Sequence, residues 1–167
     1  MTTVGTAAPF SWCRRHTTAW QAMGTVALRV LQMIVLIRAY RAACQIEQAR
    51  RVVAEELTLV ERNGLHYGEA KLWRLKGELL LYGENVDETA AEACFHRAIT
   101  IAQRQGARLW ELRATISLAR LWQRQGRGEE ARQILAAILG WFSEGFETAD
   151  LIEARALLAE LTHSVFG

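Results

Sequence analysis

Three alanines constrain this chain more than any other feature. Ala49 in CQIEQARRVV, Ala91 in DETAAEACFHRAI and Ala131 in GRGEEARQILAAI lie 42 and 40 residues apart, and each opens the same kind of amphipathic pattern. A period of this size marks stacked supersecondary units, none able to bury its apolar face alone. Upstream of each alanine lies an apolar helical stretch: Leu36, Ile37 and Tyr40 in the first unit, Trp73, Gly77 and Leu80 in the second, Leu118, Ala119 and Trp122 in the third. Each stretch ends at a turn, Ala43-Cys44, Gly83-Glu84-Asn85 or Gly126-Arg127-Gly128. Helix, turn, helix therefore recurs three times.

The pattern has a steric reason. Antiparallel helices approach closely where a small residue on one meets a large residue on the other, so Gly77 or Ala119 and then Ala91 or Ala131 mark the crossings. Phe95 and Leu135, four residues after those alanines, share their face and fill the space between units. Asn63-Gly64 and Gln105-Gly106 supply glycine C-caps, and Asp87 and Thr148 can cap helix starts. The phasing predicts helices near 25–43, 46–62, 67–82, 88–105, 107–125, 129–142 and 149–162, with no stretch alternating as a strand. Gly126-Arg127-Gly128 follows a helix and lacks the lysine, hydroxyl and preceding strand of a phosphate loop, so it reads as a turn.

The 167 residues suit one domain, with Pro9 the single proline, and 51% hydrophobic against 23% charged residues marks a globular chain. Of the 20 basic residues only Lys71 and Lys76 are lysines, a bias that points to a GC-rich bacterial genome. Cys13, Cys44 and Cys94 are odd in number and far apart, which argues against disulfides or structural zinc and fits a reducing cytosol. A net charge of +2 does not imply generic nucleic-acid binding, although residues 97–132 hold eight arginines and three glutamates. The apolar run Val26 to Ile37 is too short to cross a bilayer, which takes about 20 residues, and is expected as a buried helix.

At Trp73-Arg-Leu-Lys-Gly77, followed by Ala91, Phe95 and Ala98, the spacing resembles the tetratricopeptide (TPR) signature, W-x₂-L-G and then A-x₃-F with a later alanine. Lys76 replaces the leucine, the joining turn is longer and the terminal proline is absent. The resemblance covers about 30–142. It implies an all-α fold, a TPR-like right-handed α-solenoid of antiparallel helix pairs with a C-terminal capping helix. The expected organisation is an irregular or poorly ordered segment over 1–23 and a repeat domain over 24–167, with units about 25–64, 66–106 and 107–142 and a capping helix 148–163. LWRLKGELLL, AEACFHRAITIAQRQGARLWELRATISLARLWQRQGR and LGWFSEGFETADLIEARALLAEL look like the C-terminal repeats of large bacterial signalling proteins, in which a nucleotide-cyclase or other signalling domain and an AAA-type ATPase precede them. That likeness implies a cytoplasmic regulatory scaffold, the C-terminal fragment of a longer parent. No stretch matches the catalytic parts of such proteins.

The residues themselves offer no reaction centre. His16, His66, His96 and His163 are too scattered for a local ligand pair, so no metal or cofactor is expected. Cys94 has no base nearby in sequence and reads as a small packed residue. Glu55-Glu56 and Glu129-Glu130 diverge by about 100° on a helix, and the latter complements a helix N-terminus. Trp73, Trp110, Trp122 and Trp141 recur at helical packing positions.

In TPR-like stacks the first helix of each unit lines a concave groove. Phasing from Ile37, Gly77 and Ala119 places Arg38, Arg41, Lys71, Arg74, Arg113, Arg120 and Arg124 on the groove side. Two readings follow: a basic groove for an acidic peptide or the acidic face of another domain, or ordinary solvated arginines, some paired with Glu78 or Glu111 across helix turns. The expected function is a non-enzymatic protein-interaction module; the alternative is nucleic-acid binding through the arginines of 97–132. A homodimer through the apolar N-terminal helix is a further expectation.

Overall fold

The computed structural model describes residues 26–63, 66, 68–83, 85–145 and 147–165, without the side chains of 26–31, 34, 41, 63, 164 and 165. The expectation of an irregular segment over 1–23 lies outside the described residues, as does the Gly64 cap. Among the described residues there are seven α-helices and no strand: α1 (Val26–Ala42), α2 (Ile46–Asn63), α3 (Glu69–Leu80), α4 (Glu88–Arg104), α5 (Arg108–Arg124), α6 (Gly128–Leu139) and α7 (Ala149–Val165). None of them is long and apolar enough to cross a membrane. Two compact units meet in sequence at Gly68 and Glu69.

The first unit is the α1–α2 hairpin. Helix α2 buries Ala49, Val52, Val53 and Leu57, an apolar stripe at helical spacing, and packs on α1, where Met33, Leu36, Ile37 and Tyr40 are buried. The chain turns at Cys44, whose φ is +54°, while the Gln45 N–H donates to the Tyr40 carbonyl at 2.9 Å. That bond closes a Schellman cap, which wants a left-handed residue at the position Cys44 holds.

The second unit stacks α3–α4 and α5–α6 as antiparallel hairpins and finishes with α7. Its core runs from Ala91, Phe95 and Ala98 through Leu112, Leu118, Ala119 and Leu121 to Ala131, Leu135, Leu151, Ala154 and Leu161. The repeat-phasing alanines Ala91 and Ala131 are completely buried there, as Ala49 is in the first unit. Asp87 caps α4 as expected, its carboxylate accepting from the Ala90 N–H at 2.9 Å. Gly126, at φ +76°, repeats the Cys44 turn, with the Arg127 N–H donating to the Trp122 carbonyl at 2.8 Å. The Gly126-Arg127-Gly128 stretch is thus a helix–helix turn.

Packing order gives the unit its two layers. The first helices touch in succession, α3 against α5 and α5 against α7, whereas the second helices α4 and α6 do not meet among the described residues. A stack whose first helices lie closer than its second helices curves toward the first-helix layer, which is therefore the inner face of this unit.

Three expectations need correction. Helix α6 stops at Leu139, not 142, because Gly140 and the turn beyond it end the ladder. Trp141 consequently falls outside the helix and is 66% exposed, so it is not a packing residue; the Arg108 guanidinium lies over its ring at 3.9 Å. Helix α3 is shorter at both ends than the 67–82 expected from its pattern.

Candidate functional site

The inner layer of the second unit carries the groove residues that belong to it. Successive turns of α5 place Arg113, Ser117, Arg120 and Arg124 on one stripe, at the i, i+4, i+7, i+11 spacing of a helix face. Arg74 and Glu78 approach from α3, Asp150 and Glu153 from α7. Arg74 is ion-paired with Glu78 one turn on, and the Ser117 Oγ lies 3.2 Å from Glu78 Oε1 and 3.1 Å from the Arg113 carbonyl. Arg113 forks onto Asp150 through Nε at 2.8 Å and Nη2 at 2.7 Å, and Arg120 Nη2 reaches Glu153 Oε1 at 2.8 Å. Ion pairs thus join α5 to α7, and the Ser117 hydroxyl links α5 to the Arg74–Glu78 pair of α3.

Hydrogen bonding to Asp150 holds the Arg113 guanidinium more basic than usual, against the opposing effect of its partial burial. Arg124, in the last turn of α5, is exposed and has no partner among the described residues. Lys71 is half-buried on α3. Arg38 is exposed on α1 of the first unit, and the side chain of Arg41 is outside the described residues. The layer is therefore mixed in charge, with Arg74 paired to Glu78 as one of the two sequence readings had it, and Arg124 open to solvent. The carboxylates Asp150 and Glu153 were missed because they lie 37 and 33 residues beyond the arginines they meet, on a helix read only as a C-terminal cap.

A second cluster sits where α4 packs on α5. Glu92 accepts from the Trp122 indole N–H at 2.7 Å and from Arg127 Nη1 at 2.9 Å, and His96 Nε2 lies 3.7 Å away. Burial raises the Glu92 carboxyl, but its bonds to Trp122 and Arg127, with the nearby charges, hold it below the ordinary carboxylate value. Arg127 also forks onto Glu130 and lies over the Trp122 ring at 4.4 Å. Beside this cluster, Lys76 and Arg97 lie over the Trp73 ring at 4.7 and 4.0 Å, which gives the lysine that departs from the TPR pattern a packing role.

Cys94 is buried, and that burial pushes its thiol up, the environment of a packed residue and not of a nucleophile. Among the described residues no group of three or more His, Cys, Asp or Glu could hold a metal ion. Within 97–132, Arg108 pairs with Glu111, Arg127 with Glu92 and Glu130, and Arg132 with Glu129, in addition to Arg113 and Arg120.

No family model matches the sequence, and no curated protein matches it. Among solved structures, nine chains match. One is a crystal structure of nearly identical TPR-like repeats from Podosopora anserina, ascribed to a kinesin light chain; it superposes with a TM-score of 0.61 at 16% identity, covering 93% of this chain and 84% of that one. The chain has a TPR-like helical-repeat fold.

Proposed function

We propose that this chain is a non-catalytic protein-interaction module, a regulatory scaffold that receives an acidic segment of a partner on the inner layer of the second unit. The carrying observation is the pair Arg120 and Arg124 one turn apart on α5, exposed on the face toward which the stack curves and flanked by Lys71 and Arg74 on α3, with Arg113 already tied to Asp150. Guanidinium groups so placed suit carboxylates, which they bind through charge-assisted hydrogen bonds. Arg38 and Arg41 belong to the other unit and are not needed for it. Among the described residues Arg108, Arg113, Arg127 and Arg132 are held by carboxylates on either side of the Arg120–Arg124 pair, which argues against a continuous phosphate-binding track over 97–132.

Binding of labelled acidic peptides to the purified chain, followed by fluorescence anisotropy at low and high salt, tests this reading. Arg120→Glu together with Arg124→Glu should abolish the interaction. Undiminished binding by that variant would remove the groove from consideration, and preferential binding of duplex DNA would favour the nucleic-acid alternative.

The likeness of three segments to the repeats of bacterial signalling proteins supports a further reading: a cytoplasmic module at the C-terminal end of a longer ATPase- or cyclase-type parent. Sequencing the DNA immediately upstream tests it, since an ATPase-encoding stretch should lie there. Helix α1, where Val35 is exposed, is the surface through which a homodimer would form; sedimentation of wild type against Val35→Lys checks it.

A further inference from the structure

We infer that Glu153 is an internal competitor for the groove, that Arg120 and Arg124 are the cations a partner reads, and that Arg113 with Asp150 is a fixed clamp the partner leaves in place. This rests on the acidic-partner reading above and divides its arginines by how firmly each is already held.

The stripe on α5 grades from fixed to open. Arg113 is gripped by two parallel bonds to one carboxylate, with both side chains mostly covered, at 34% and 22% exposed. Bidentate geometry fixes the guanidinium plane, and it ties α5 to α7 across the layer. Ser117, bonded toward Glu78 and the Arg113 carbonyl, fills the next turn and offers a partner no charge.

One turn further the grip loosens. Arg120 has a single 2.8 Å contact with Glu153, and the two side chains are 57% and 40% exposed. An exposed single-point pair of long side chains contributes little, because water screens it and both chains lose rotamer freedom. Arg124 follows at i+4 with no partner among the described residues. Residues four apart on a helix stand about 5–6 Å apart at Cβ, so two carboxylates of an extended or helical segment can meet this pair together.

Exchange is then the physical step of binding. A partner carboxylate displaces Glu153 from Arg120, while its neighbour pairs with Arg124. Glu153 also lies within the field of Arg113, so its negative charge acts on more of the stripe than Arg120 alone. Removing that charge while keeping the side chain's shape should tighten binding, the reverse of what a purely structural ion pair would give.

The test is anisotropy titration of a labelled oligoglutamate peptide with the full chain and four variants at low salt, each variant's fold checked by thermal melting. Glu153→Gln should bind about two- to fivefold tighter, the range an exposed ion pair is worth. Glu160→Gln, an equal change of net charge further along α7, should stay within about 1.5-fold of wild type at that distance through water. Arg124→Gln should weaken binding by about fivefold or more. The charge-neutral pair Arg113→Gln with Asp150→Asn should leave affinity within about twofold while lowering Tm. Equal tightening by Glu153→Gln and Glu160→Gln, or none by Glu153→Gln, would overturn the competitor role with the acidic-partner reading intact. Loss of affinity in the charge-neutral pair as large as in Arg124→Gln would overturn the clamp assignment. No binding by wild type and Glu153→Gln alike would overturn the acidic-partner reading itself.

Discussion

Gly77 of α3 faces the ring of Phe95 on α4 so closely that a Cβ at Gly77 would lie 2.6 Å from Phe95 Cε1 and 2.9 Å from Cδ1, with the Ala91 carbonyl oxygen at 3.1 Å. Phe95 is fully buried and cannot swing aside without displacing the core around it. Alanine at 77 would gain roughly 1 kcal/mol of helix propensity. Overpacking a tight core costs about 1–3 kcal/mol, which exceeds that gain. Gly77→Ala should therefore lower stability by about 1 kcal/mol in urea melts. Adding Phe95→Leu should relieve the clash, so that the double variant is more stable than the sum of the singles predicts.

Cys44 performs at the end of α1 what Gly126 performs at the end of α5. Its φ of +54° is costly for a residue with a Cβ, by about 1–2 kcal/mol. The thiol is exposed, so little packing is lost on its removal. Cys44→Gly should raise the stability of the first unit by up to about 1 kcal/mol, less than the full strain because glycine loses more entropy on folding. Cys44→Ala, which keeps the strain, should be nearly neutral. Hydrogen exchange at the Gln45 amide, whose bond to Tyr40 closes the turn, reads the difference locally.

The repeat was legible because burial enforces it. Ala49, Ala91 and Ala131 are small where helices cross, and Phe95 and Leu135 fill the space four residues on, so the pattern survives in the sequence. Turn chemistry was legible for a similar reason, since few residues adopt positive φ and glycine stands at 106 and 126. The charge pairing was only half legible. Helical phasing places Arg113, Arg120 and Arg124 on one stripe, but which acids they meet depends on how α7 is rotated against α5, and that is set by the packing of Leu151, Ala154 and Leu157. Trp141 was misread because tryptophan is usually a packing residue, whereas here the ladder ended before it and an arginine covered one face.

The Arg113–Asp150 fork joins the last helix to the hairpin before it, and its worth can be measured as a coupling. Both partners are partly open to water, which screens the pair, so the bidentate geometry should yield only about 1 kcal/mol. A double-mutant cycle with Arg113→Ala and Asp150→Ala should return that value and shrink at high salt. The same cycle on Arg120 and Glu153 should return about half as much or less. Equal couplings would contradict the gradation of the two pairs seen in the structure.

Glu92 makes stability depend on acid. Burial raises its carboxyl, yet the Trp122 and Arg127 bonds, the Arg127 charge and His96 together hold it below the ordinary value of 4.5. A group whose pKa is depressed on folding stabilises the native state above its unfolded value, and that contribution is lost as pH falls through the folded one. The window therefore lies at and below about pH 4.5. Glu92→Gln keeps an acceptor for the Trp122 N–H but has no charge to lose, so it should be less stable than wild type at pH 7. Between about pH 5 and pH 3 its Tm should fall less steeply. Glu129, paired with Arg132 on the open surface of α6, is the control: water screens that pair and it contributes little, so Glu129→Gln should follow the wild-type acid limb closely. Parallel acid limbs in wild type and Glu92→Gln would show that the Trp122–Glu92–Arg127 cluster does not persist in solution.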